Sequence, residues 1–148
     1  MKLRDLDGRF LRWYTVTSTE QDAEGKYVFR DEQGEAWGWS PRPVWDHFEP
    51  VEKFAEAHGV EFLCPKSFAK NGGPKGTHSV YVWFEGSPVP GHIGQNKQGQ
   101  TVRWKASGSG LDDLVLTPSI QEQDEGSLDL CLWHGFVGSS GVPPGEAA

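Results

Sequence analysis

Over much of the chain apolar and polar residues alternate with a period of two, the pattern of strands whose successive side chains point to opposite faces. Residues 11–17 (LRWYTVT) read as one strand. Residues 27–30 and 35–39 read as a pair flanking Asp31-Glu32-Gln33-Gly34, whose final glycine suits a hairpin loop that needs a positive φ. An N-terminal β meander follows from these segments. Further strands are expected at 60–63, 77–84, 101–106, 114–120 and 128–137. Within 77–84 (THSVYVWF) the alternation sets His78, Val80, Val82 and Phe84 on one face, so His78 looks inward with the apolar residues.

The period changes after residue 49. Pro50 suits the first turn of a helix, Val51, Phe54 and Ala55 fall at helical spacing, and Gly59 sits where a C-terminal cap belongs, with His58 placed to offset the helix dipole. One short helix is therefore predicted at about residues 51–58. The Gly, Lys and Pro-rich stretches 65–76 and 86–99 read as loops, and residues 138–148 as a flexible tail. The expected fold is mainly β: a small antiparallel β domain with one short helix. Residues 1–148 make a single domain, and any subdivision would separate an N-terminal meander, 1–49, from a β core, 60–137.

Composition agrees with this class. Seven Trp, 19 Gly and 10 Pro in 148 residues favour short strands joined by turns. No apolar run approaches the roughly 20 residues that cross a bilayer, and the start, Met1-Lys2-Leu3-Arg4-Asp5, has neither the basic nor the apolar part of a secretory signal. The chain reads as soluble and unsecreted, belonging in a host cytoplasm or a virion. With net charge −7 and scattered basic residues, a nucleic-acid partner is disfavoured.

The two cysteines are each accompanied by a histidine, Cys64 by His78 and Cys131 by His134 in a Cys-x-x-His step. Thiolate sulfur and imidazole nitrogen, four in a tetrahedron, are the donors zinc prefers. Cys64, His78, Cys131 and His134 are thus candidate ligands of a structural zinc that would staple the strand end at Cys64 to the last strand. On a straight strand Cys131 and His134 point to opposite faces, so the set requires a bend at Leu132-Trp133. The alternative reading makes Cys131 a small buried hydrophobe and the histidines ordinary hydrogen-bonding groups.

Phe62-Leu63-Cys64-Pro65, Gly76-Thr77-His78, the Trp104 strand, Leu116-Thr117-Pro118-Ser119-Ile120 and Cys131-Leu132-Trp133-His134-Gly135-Phe136-Val137 carry a resemblance over roughly residues 62–141. This segment resembles a family of small uncharacterised phage and prophage proteins, often mislabelled ammonia monooxygenase and catalogued as a domain of unknown function (DUF6527). Typical members begin with a Cys-Pro-x-Cys-like pair, whereas Lys66 and Ser67 follow Cys64-Pro65 here, which makes His78 the natural replacement ligand. The resemblance implies a zinc-binding core and phage origin, with neither a reaction nor a partner attached.

Other groupings have plainer explanations. Asp112 and Asp113 read as a turn, with Asp112 its organiser, Ser119 lacks a nucleophile elbow, and His47 and His92 lie in polar, Pro-rich surroundings that favour exposure. No catalytic set is assigned. Trp37, Trp39 and Trp45, near Tyr14, Tyr27 and Phe48, are either the core of the meander or the apolar centre of a partner-binding surface. The functional expectation is a non-enzymatic, zinc-stabilised, phage-encoded β module acting through protein contacts or self-assembly, for example as a virion or capsid-associated accessory. The alternatives are a zinc-dependent hydrolase with Asp112, Asp113 or Glu61 as base, and an acidic inhibitor of a host defence protein.

Overall fold

The computed structural model describes residues 1–122 and 131–148. The chain is mainly β, with antiparallel sheets, and divides into two units: Met1–Arg12 with Pro50–Ala148, and Trp13–Glu49. The strands are β1 (Arg9–Thr17), β2 (Tyr27–Arg30), β3 (Ala36–Ser40), β4 (Val44–Val51), β5 (Gly59–Leu63), β6 (Ser79–Trp83), β7 (Lys105–Ser107), β8 (Val115–Gln121) and β9 (His134–Val137), and the α-helix α1 is Pro65–Asn71. The expected last strand at 128–137 is realised from His134 onward, and its residues 128–130 lie outside the described part of the chain.

In the larger unit, β5 is the central strand. Its neighbours are the start of β1, with Phe10 opposite Val60, and β6, with Phe62 opposite Val80 and Val60 opposite Val82. These residues share a face because each lies two positions from the next on its strand. A second antiparallel sheet has the order β7-β8-β9, with Leu116 opposite Val137. Val60, Phe62, Val80, Val82, Leu114, Leu116, Ile120 and Val137, each 2% exposed or less, meet in one core. Phe62 and Trp133 pack edge to face within it at 5.9 Å, a favoured geometry for aromatic rings.

The helix expected at about 51–58 is replaced by a single 3-10 turn at Phe54–Glu56. Pro50 lies inside β4, and Gly59 begins β5, where its role is close packing: a Cβ there would lie 2.6 Å from both the Trp83 ring and the Val82 carbonyl oxygen. His58 caps no helix, because its backbone extends the ladder, donating to the Leu11 carbonyl and accepting from the Phe84 amide. The α-helix falls instead in the stretch read as a loop. Pro65 opens it and Gly72 closes it, the same proline-first, glycine-last arrangement that residues 50–59 present in the sequence.

The expected loop 86–99 is tied down by Arg103, whose guanidinium donates to the carbonyls of Val89, Pro90, Ile93 and Val102 at 2.8–3.3 Å. This clamp takes up part of the strand expected at 101–106, so that β7 starts only at Lys105. The expected flexible tail is also held. Ala147 is fully buried, its amide donates to the Met1 carbonyl, and Phe136 and Ala148 exchange two backbone hydrogen bonds of 2.8 and 3.0 Å.

In the smaller unit β2 and β3 form the expected hairpin, Val28 opposite Trp39, with Gly34 at φ 82°. The Asp31 carboxylate accepts the amides of Gln33 and Glu35 across that turn, and Asp22 does the same for Glu24 and Lys26 in the preceding one. The stretch 40–50 is mostly strand β4. The boundary at 49 coincides with the end of this unit, whereas residues 1–12 belong to the other.

Candidate metal centre

The site is assembled by the β5–β6 ladder. Continuing its register beyond Leu63 opposite Ser79 brings Cys64 opposite His78, and the Cys64 amide donates to the His78 carbonyl at 2.9 Å. Residues directly opposite on one face have Cβ atoms about 5 Å apart. Two side chains separated by a helix and a loop thus become neighbours, on the face already carrying Phe62 and Val80. The loop before His78 is fixed to α1, since Asn71 donates to Ser67 and Thr77 hydroxyl oxygens and Thr77 donates to the Gly73 carbonyl.

Cys131 completes the group. Its sulfur lies 3.7 Å from that of Cys64, and the ligand atoms of Cys64, His78 and Cys131 all fall within 4.8 Å of one another. A disulfide requires about 2.05 Å, so these are free thiols. Two thiolates on one tetrahedral zinc, each bonded at about 2.3 Å, would lie about 3.8 Å apart. The observed sulfur separation therefore fits a shared ion. Cys64 is fully buried, Cys131 is 6% exposed, and the His78 side chain is 17% exposed.

His134, the expected fourth ligand, is outside this group. Residues 131 to 135 alternate strictly between buried and exposed, Cys131 and Trp133 inward, Leu132 and His134 outward. The bend that a Cys-x-x-His pair needs is absent, and the parity of an extended chain decides the matter. His134 instead stands on the surface with Nε2 3.0 Å from the Ser119 hydroxyl.

One residue that sequence reasoning missed stands at the site. Glu122, the residue after β8, has Oε2 3.7 Å from His78 Nε2, and its side chain is 16% exposed. Its amide donates to the Trp133 carbonyl at 2.7 Å, anchoring it beside the segment that carries Cys131. The only advance signal was its place after an apolar strand, and a glutamate there is ordinarily solvated.

The carboxylates considered as a general base are engaged elsewhere. Glu61 projects from β5 on the face opposite Phe62 and Cys64, where Arg9 Nε meets it at 2.7 Å. Asp112 pairs with Arg4, and Asp113, rather than Asp112, organises its turn by accepting the amides of Ser109 and Gly110 and the Ser109 hydroxyl at 2.8 Å each. His47 is half-buried and stacked on Tyr14 at 5.4 Å, contrary to the exposure expected of it, while His92 is exposed.

Of the three aromatic candidates, Trp37 and Trp39 are 42% and 54% exposed. Trp45 is half-buried, edge-on to Trp37 at 5.2 Å and to Phe29 at 5.5 Å. The cluster is therefore core at Phe29 and Trp45 and surface at Trp37 and Trp39.

Burial pushes the Cys64 thiol up from 9.0 to about 11, against the opposing pull of the Ser67 and Lys66 amides and with a smaller contribution from neighbouring Cys131. The folded state thus favours the protonated thiol. Metal-free protein should retain this contribution below pH 9 and lose it as pH rises from about 9 to about 11. Metal-loaded protein, whose thiols are already ionised, should show no such loss. Urea midpoints measured across this interval with and without bound metal check both statements.

The Cys-His-Cys group could hold a metal ion: its donor types suit a soft or borderline cation and its spacing suits a single one. Among the described residues no helix is long and apolar enough to cross a membrane. No family model, curated protein or solved structure matches the chain.

Proposed function

We propose that this protein is a non-enzymatic, zinc-stabilised β module of phage origin that works by contact with other proteins, with a virion or capsid-associated accessory as its concrete form. The observation that carries the metal part is the 3.7 Å separation of Cys64 and Cys131 sulfurs beside His78. Three segments far apart in the chain converge there on donors that zinc favours. The ion would hold Cys64, at the start of α1, and His78, just before β6, to the segment leading into β9, a cross-link whose free energy adds directly to folding. The residues that resemble the phage family support the same reading, because Cys64, His78 and Cys131 all belong to its quoted motifs. The test is metal analysis of purified protein, for which one zinc per chain is expected. Absence of metal would remove this reading.

The contact part rests on the exposed Trp37 and Trp39, with Val44 and Phe48 each 39% exposed in the same unit. Large aromatics at the surface are the residues that most often dominate protein interfaces. Trp39→Ala is expected to change stability by no more than about 0.5 kcal/mol, as for other exposed positions, yet to weaken assembly or partner binding at a temperature where the protein stays folded. Unchanged binding by the folded variant would remove Trp39 from the interface.

A zinc-dependent hydrolase is the second reading. It is favoured by one observation, that three protein donors are what catalytic zinc sites use, with water in the fourth position. Against it, Glu61 points to the other face of β5, and Asp112 and Asp113 are held by Arg4 and by a turn.

A further inference from the structure

Resting on the metal reading above, we infer that Glu122 supplies the fourth donor, closing the site as two cysteines, one histidine and one glutamate. Glu122 Oε2 is 3.7 Å from His78 Nε2, whereas two nitrogen and oxygen donors on one tetrahedral zinc, bonded at about 2.0–2.1 Å, would lie about 3.3 Å apart. The carboxylate therefore stands beside His78 but short of a ligand position. It lies outside the 4.8 Å group formed by the two sulfurs and His78, and rotation of its side chain about a fixed backbone is the movement required. That backbone is fixed by the hydrogen bond from the Glu122 amide to the Trp133 carbonyl, two residues from Cys131.

Chemistry points the same way. Two thiolates and an imidazole leave one position of a tetrahedral zinc to fill, and carboxylate oxygen is an ordinary zinc donor. Glu122 is 16% exposed beside His78, and a carboxylate held largely out of water is one that is paired or coordinates a metal. His134, the other candidate for the place, is on the surface against Ser119. A competing role would have Glu122 hold the non-ligating nitrogen of His78, leaving the fourth position to water. These two roles differ in whether a small anion can reach the ion.

The test substitutes cobalt(II) for zinc in the full chain and follows its visible absorption while azide is added. A closed site predicts an intense tetrahedral spectrum that azide leaves unchanged in the wild type. In Glu122→Ala the spectrum should become azide-sensitive, with loss of affinity for the metal. Glu122→Gln should fall between them. If azide shifts the wild-type spectrum, the fourth position is exchangeable and the inference is overturned, a result that needs no variant to fold. If azide affects neither wild type nor Glu122→Ala, another protein group fills the position, and the inference is overturned equally. Failure of the wild type to bind cobalt or zinc would instead sink the metal reading itself.

Discussion

Cys131→Ser is expected to abolish tight metal binding and to lower the stability of the zinc-loaded protein to that of the metal-free chain, while His134→Ala leaves both properties close to wild type. The contrast follows from placement: Cys131 is 6% exposed with its sulfur 3.7 Å from Cys64, and His134 is on the surface beside Ser119. When free zinc exceeds its dissociation constant a thousandfold, binding contributes about 4 kcal/mol to folding. The loss on replacing a ligand should approach that figure. Thermal unfolding of both variants with zinc and with a chelator separates the two cases. Equal losses in Cys131→Ser and His134→Ala would mean that the Cys-x-x-His pair acts together after all.

The inward-facing His78 was legible because alternation alone assigns faces: counting by two from Val80, Val82 and Phe84 leads directly to it. The same rule sets Cys131 and His134 on opposite faces, whereas the donor chemistry of the pair favours a shared ion. Parity prevailed because burial alternates without interruption from Cys131 to Gly135. Glu122 was not legible, since its approach to His78 depends on how β8 is placed, a long-range feature that local spacing does not contain. The helix was misplaced for a related reason. Pro-Gly bracketing occurs twice, at 50–59 and at 65–72, and only packing distinguishes them: Gly59 is needed in β5 against Trp83, so the first bracket forms no more than the 3-10 turn at Phe54–Glu56.

Deleting residues 145–148 is expected to destabilise the protein by several kcal/mol, although these residues read as a dispensable tail. Gly145 accepts from the Leu3 amide and donates to the Leu114 carbonyl, the Met1 ammonium and backbone carbonyl bond to Ala147, and Ala148 pairs with Phe136. The Ala147 side chain is fully enclosed in the core. Each hydrogen bond contributes about 1 kcal/mol net, and stranded buried partners cost more. The measurement is a urea midpoint for the truncated chain. A midpoint equal to wild type would show that these contacts do not hold the N-terminal turn and β9 in place.

X-ray absorption at the zinc edge of the purified protein measures the identity of the ion's neighbours, and so addresses the site where Cys64, His78 and Cys131 converge. The expected result is one zinc per chain with two sulfur neighbours at about 2.3 Å and the remaining donors nitrogen or oxygen at about 2.0–2.1 Å. Protein that carries no zinc, or zinc with no sulfur neighbour, would contradict the account.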